Sequence, residues 1–215
     1  MLRKKIGIIG DPYLLDVTTG TEYRRTVCAL AWPYADVHGC VIVIGELRHP
    51  PAMMDARRHV HVLGEARSAS PDKLLEEAAR MQVKWLFPTV VTPVGDPRIT
   101  LVDQYNADRR RARLPVLRLV EPSAWRGKGE GLLSYYMAIL QRRITDDKSL
   151  HFGPDCTARD EAQRAGKDDI NRKMIEMPGV CALAWAVENM DVEAQPEWYE
   201  RRHIIGGPAD QHGGY

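Results

Sequence analysis

Near-continuous apolar runs alternate with polar links through the first half of the chain. Residues 5–10 (KIGIIG), 26–32 (TVCALAW) and 40–47 (CVIVIGEL) are short and bounded by Gly, Pro or charged positions, the pattern of buried strands. The short link PYADVHG between the second and third runs predicts an antiparallel hairpin. HVHVLG at 59–64 fits either a strand or a loop. Ser70-Pro71 then opens a helix. The serine hydroxyl can accept free backbone N–H groups, Pro suits the first helical turn, and Leu74, Leu75, Ala78 and Met81 make one stripe through about Gln82.

Farther along, Pro88 interrupts KWLFPTVV and makes it an edge strand or an extended segment. RITLVD at 98–103 reads as a strand, 105–113 as a short charged helix and LPVLRLV at 114–120 as another strand. Residues 129–143 read as a helix with Leu132, Leu133, Tyr136, Ile139 and Leu140 on one side. Residues 144–168 are polar and predicted irregular, 178–189 (PGVCALAWAVEN) form a last helix, and a Gly-rich tail closes the chain. Helices and strands thus follow the order β-β-β-α-β-α-β-α-α. Three leading strands argue against a doubly wound parallel sheet. They predict an α/β fold whose mixed sheet has its antiparallel side first and parallel strands with crossover helices after it.

Composition narrows the class. The chain has 215 residues, 44% hydrophobic and 27% charged, as expected of one globular domain. We expect residues 1–192 to form it and 193–215 to be a partly disordered extension. A net charge of +1 gives no global field for nucleic acid, leaving only local basic patches. Cys28, Cys40, Cys156 and Cys181 are widely spaced and match no zinc pattern; Cys28 and Cys40 fall inside strand-like runs and read as small core residues without disulfides. No apolar run reaches the length of a membrane span, and the first one stops at Gly10, too early for a signal peptide. A cytoplasmic protein is expected.

Two carboxylates carry the candidate chemistry. Asp11 follows the first apolar run and Asp103 ends RITLVD, so both would stand at the carboxyl edge of the sheet. Carboxylates that close repel unless a proton or cation intervenes. Two hard ions, Mg2+ or Mn2+, held by such acids can activate water and stabilise a leaving phosphate oxygen. A third acid would come from Asp168, Asp169 or Glu176, just before the last helix. Each has a plainer role available: a turn residue for Asp11, a helix cap for Asp103, a solvated loop for the acidic pair. Glu46, at the end of the third run, suits a salt bridge at a sheet edge.

The stretch IGIIGDP…TGTEYRRTVCALAW…GCVIVIGEL resembles the opening of RNase H-like nuclease domains, and most closely the nuclease domain of phage large terminase subunits. In that family a first strand ends in a catalytic Asp, two more strands complete a meander, a second acid ends a later strand, and a third lies before or within an Ala-rich C-terminal helix. The resemblance implies an RNase H-like mixed sheet flanked by helices and a metal-dependent DNA endonuclease using two Mg2+ or Mn2+ ions. Asp11 and Asp103 would be metal ligands, joined by Asp169 or Glu176. The implied partners are DNA and other packaging or motor proteins, in a host cytoplasm, with no membrane. The phosphate-binding loop of the terminase motor is not matched in this sequence.

Arg109, Arg110, Arg111 and Arg113 crowd one short stretch, and Arg126 and Lys128 lie in a Gly-containing loop; these cations would neutralise phosphates, unless they are only a solvated face. His59 and His61 share one face of an extended segment and read as surface histidines rather than a metal pair. Two other classes stay open: an α/β enzyme binding a nucleotide or sugar phosphate at its strand ends, and a non-catalytic structural relative of the nuclease fold.

Overall fold

A computed structural model describes residues 1–7, 10, 12–49, 58–93, 96–122, 140–146, 148–153, 156–168 and 177–192. The chain opens on a hairpin. Strand β1 (Leu2–Ile6) pairs antiparallel with β2 (Pro12–Asp16), from Leu2 opposite Asp16 to Ile6 opposite Pro12. The strand expected at 5–10 is therefore cut short. Gly10 adopts φ +84 and donates its N–H to the Gly7 carbonyl at 3.0 Å, a left-handed turn conformation that glycine takes without Cβ strain.

The antiparallel meander comes next, one strand later than the sequence suggests. It comprises β3 (Glu22–Ala31), β4 (Gly39–Leu47) and β5 (Val60–Ser68). Strand β4 is buried along almost its whole length, as expected of a central strand covered on both faces. Helix α1 (Pro71–Trp85) follows; the Ser70 hydroxyl accepts the Lys73 N–H at 3.4 Å with Pro71 beginning the helix, as the capping pattern predicts.

Two short parallel strands complete the centre. Strand β6 (Val90–Val91) pairs with β3, and β7 (Leu119–Val120) pairs with β6. The segment after Pro88 is thus an internal strand rather than an edge. Between them lies α2 (Ile99–Arg111), where a strand was expected at 98–103. The β-branched residues of RITLV favour extension locally, but Val102 and Asn106 lie one helical turn apart and both bury. The predicted polar, irregular stretch also carries order: a π-helical turn (Arg142–Asp146), edge strand β8 (Leu150–His151) parallel to β5, and α3 (Thr157–Asp168). Helix α4 (Pro178–Val192) fulfils the last helix prediction; it is buried on every side along most of its length, as expected of a helix apolar all round from Pro178 to Val187. Most of the predicted helix at 129–143 and the whole of 193–215 fall outside the described residues.

The sheet runs β1-β2-β3-β4-β5-β8, with β6 and β7 joining beside β3. The long β3 shares one edge between two partners: its beginning pairs with β2 (Tyr23 opposite Leu14) and its end with β6 (Ala29 opposite Val91). One core fills the face under α3 and α4, and a second fills the face under α1 and α2. Antiparallel strands leading into parallel ones, with helices on both faces, make the α/β mixed sheet that the order of elements predicts. All four cysteines are free, and no helix among the described residues is long and apolar enough to cross a membrane.

Candidate functional site

The sheet order reassigns the strand ends on which the predicted site depends. The strand that begins the meander and pairs in parallel with the strand after the first helix is β3, not the run at 5–10. Asp11, Asp169 and Glu176 lie outside the described residues, as do Arg126 and Lys128. Asp103 is described, and its placement is corrected. It lies within α2, exposed to solvent, rather than at a strand end. The expectation that Asp103 ends a strand of the central sheet is therefore not met.

At the ends that matter, β3 closes on Ala31 followed by Trp32, and β6 closes on Val91 followed by Thr92. The third parallel strand, β7, is followed by Glu121. Ala31, Trp32, Val91 and Thr92 are buried. The corner is roofed by Arg98, which lies 5.6 Å from the Trp32 ring and donates to the Pro33 carbonyl. Asp96 clamps that guanidinium bidentately at 2.7 and 2.5 Å. Burial pushes the Asp96 carboxyl up, but the hydrogen bonds and charge of Arg98 outweigh it and hold the group below its ordinary range. The first two turns of α4 present Val180, Cys181, Ala182, Leu183 and Ala184, all buried. Ala31, Thr92 and this apolar helix do not fit a divalent ion, which takes oxygen ligands, several of them charged.

Charge on this face is gathered elsewhere. Glu65 and Arg67 alternate on β5 and so share one face of it. Arg67 donates through Nε to Glu65 Oε1 at 2.7 Å and through Nη1 to Glu161 Oε1 on α3 at 2.6 Å. Glu65 also accepts the Ala158 N–H at 3.0 Å, the Cys156 thiol at 3.2 Å and the Thr157 hydroxyl. It thereby serves the opening turn of α3. Glu161 Oε2 accepts the Val180 N–H at 3.1 Å and serves the opening turn of α4 in the same way. Gly179 permits this approach: a Cβ there would stand 2.2 Å from Arg67 Nη2 and 2.3 Å from Glu161 Oε2.

The knot sets one guanidinium between two carboxylates. Burial raises Glu65, but Thr157, Ala158, Arg67 and Cys156 together lower it below the ordinary carboxylate range. Burial weakens the Arg67 charge, yet Glu161 and its neighbours more than restore it. Burial pushes the Cys156 thiol up to about 12, with Glu65 adding to the effect, and burial likewise raises Cys40, so neither offers a thiolate at neutral pH. Among the described residues no group of three or more His, Cys, Asp or Glu side chains is placed to hold a metal. Glu65, Arg67 and Glu161 escaped sequence reasoning. The alternating GEAR on a strand was their one local signal, and Glu161 sits in a stretch read as irregular.

The arginines of α2 divide into two kinds. Arg109 is half-buried: it donates to the Pro115 carbonyl, reaches Gln82 Oε1 at 3.5 Å and lies 5.6 Å from the Tyr105 ring. Arg110, Arg111 and Arg113 are exposed, as is Arg118 before β7; Arg111 meets Asp108 at 3.1 Å. Glu46 forms the expected salt bridge, Arg25 Nε to Oε2 at 2.9 Å, but on the central β4 rather than at an edge. His59 is buried at 1% exposure, against its reading as a surface residue.

No protein-family model matches the chain, and no curated protein matches it. Among solved structures, the chain is similar to the yeast mitochondrial Holliday junction resolvase Ydc2, at 9% sequence identity and a TM-score of 0.37, covering 83% of this chain and 86% of that one.

Proposed function

We propose that this chain is a nucleic-acid-binding domain of RNase H-like architecture that grips the phosphate backbone without cutting it, a non-catalytic relative of the packaging nucleases its sequence resembles. One observation carries the reading. The ends of the parallel-paired strands β3 and β6 present Ala31 and Thr92, and the first two turns of α4 are apolar, where a metal would need charged oxygen ligands. Glu161, which accepts the Val180 N–H at the start of α4, and Glu65 already share a cation in Arg67. DNA as the partner is supported by the exposed Arg110, Arg111, Arg113 and Arg118, which lie between the last turn of α2 and the start of β7. Phosphate contacts of this kind position a duplex without reading its sequence.

The competing proposal is a metal-dependent endonuclease in which Asp11, Asp103 and either Asp169 or Glu176 hold two Mg2+ or Mn2+ ions. A cleavage assay on linear and supercoiled DNA in manganese separates the two. Our reading expects DNA to be retained and left intact. Manganese-dependent cleavage that disappears in Asp11→Ala would overturn it in favour of the nuclease. Cleavage that survives both Asp11→Ala and Asp103→Ala would overturn both.

A further inference from the structure

We propose that His59, His61 and His151 form an acid-sensitive latch, which holds the edge strand β8 on β5 at neutral pH and releases it when more than one of its rings is protonated. Strand β8 has two residues, Leu150 opposite Val60 and His151 opposite His61. Its main-chain hold is correspondingly small: the Val60 N–H donates to the Ser149 carbonyl at 2.8 Å, and the Ser149 N–H to Arg143 at 2.9 Å. So short a strand is kept in place largely by its side chains.

Those side chains meet in one cluster. His59 Nδ1 lies 3.0 Å from His151 Nε2, with the two rings stacked at 5.3 Å and 22°. The His61 ring meets the His151 ring edge-on, centroids 5.0 Å apart. Tyr23 reaches across β4 to place its hydroxyl 3.3 Å from His61 Nδ1. Gly45 makes that reach possible, since a Cβ there would stand 2.7 Å from Tyr23 Cδ1. A hydrogen bond between two imidazole nitrogens needs one N–H and one bare nitrogen. Two imidazolium rings would aim N–H against N–H, with like charges in contact.

Among the described residues, no carboxylate is among the groups that shift His61 or His151. From β3 comes the Tyr23 hydroxyl, kept neutral by burial and by the charge of Asp16. From β4 comes Gly45, opposite His61 in register. From β8 comes His151 itself, while α1 brings Trp85 and Met81 against the neighbouring Gly64. Next to the cluster, Arg58 turns toward Glu46 at 3.8 Å, and Arg143 donates to the Arg58 carbonyl. The charges that act on His61 are the other two imidazoles; burial and their repulsion lower it to about 4, and burial and His59 lower His151. Release of β8 bares the outer edge of β5, a surface able to accept another strand.

Hydrogen–deuterium exchange at about pH 7.5 and about pH 5, corrected for intrinsic exchange, tests the latch. The Val60 and Ser149 amides of the wild-type chain are expected to lose about tenfold or more of their protection at the lower pH, while Cys28 and Val43 in the β3–β4 centre hold theirs. A His59→Gln/His61→Gln/His151→Gln triple variant keeps donors and acceptors but has no imidazole left in the cluster to titrate, and is expected to show no such loss. Unchanged wild-type protection at Val60 and Ser149 would overturn the proposal, as would an equal loss in the triple variant. The wild-type comparison needs no substitution, so it decides the matter even if the variant folds poorly.

Discussion

Asn106 and Leu117 hold each other through two hydrogen bonds: Asn106 Nδ2 donates to the Leu117 carbonyl at 2.9 Å, and the Leu117 N–H donates to Asn106 Oδ1 at 2.8 Å. A side chain of α2 thus takes the place of a neighbouring strand and satisfies the backbone leading into β7. Both residues are buried, so removing the amide would leave two backbone groups without water or partner. Asn106→Ala is expected to destabilise the domain by about 2 kcal/mol or more, read as a lower urea midpoint at unchanged slope. Asn106→Asp, which keeps the acceptor and loses the donor, should fall between.

That pair also shows where sequence reading stopped. The stretch RITLVDQYN carries β-branched residues that favour a strand, and only tertiary contacts reveal that Val102 and Asn106 point the same way from a helix. Strands β6, β7 and β8 are two residues long, too short for any periodicity to register. What was legible had strong local signals: the Ser70-Pro71 cap, the β3–β4 hairpin with its buried cysteines, and the apolar α4. The candidate site suffered most, since its reading relied on assigning strand ends. One extra hairpin moved the meander one strand along, so that β3 rather than the first apolar run begins it. The Arg67–Glu161 pair joins residues 94 positions apart, a relation no spacing rule predicts.

If the exposed arginines contact phosphates, their loss should weaken binding uniformly across sequences. Replacing Arg110 and Arg113 with Glu is expected to lower duplex affinity about tenfold or more at low salt and to flatten the salt dependence of binding. Fluorescence anisotropy with two unrelated duplexes over a salt series measures both effects. Arg109→Ala should behave differently, because its guanidinium is occupied by Pro115 and Gln82. It should reduce stability while leaving the salt slope near the wild-type value. An Arg109 effect on the slope equal to that of the charge reversals would remove the distinction between the two kinds of arginine.

Acid should unfold the chain in two stages. His61 and His151 titrate below their ordinary value of 6.5, so the unfolded chain binds more protons than the folded one below that pH. Their contribution is complete above about 6.5 and drains away as pH falls toward 4. Glu65 and Asp96 are held below their ordinary values of 4.5 and 3.8, so their contribution is intact above those values and is lost only as pH falls through their lower folded ones. Thermal melts from pH 8 downward should show a first decline beginning near 6.5 and a second below about 4.5. Glu65→Gln should diminish the second decline and leave the first. A single decline confined below pH 4.5 would mean that the imidazole cluster does not contribute to stability.

The last prediction concerns Arg67 as a resident cation. Its single positive charge is shared between Glu65 and Glu161, whose side chains are 7% and 22% exposed, while its own is 24% exposed. Removing one partner from a buried ion pair leaves the other charge desolvated and uncompensated. Partial exposure lets water screen some of that loss, so Arg67→Ser should destabilise the fold by about 2–3 kcal/mol. The cavity left behind would be lined by two carboxylates, the hard oxygen ligands that calcium and manganese prefer. Millimolar calcium or manganese should therefore raise the melting temperature of Arg67→Ser, since a ligand bound only to the folded state stabilises it by mass action. The same ions should leave the wild-type melting temperature unchanged. An Arg67→Ser variant that melts lower but ignores both ions would show that Arg67 acts through packing and hydrogen bonding, and that its charge does not stand in for a metal.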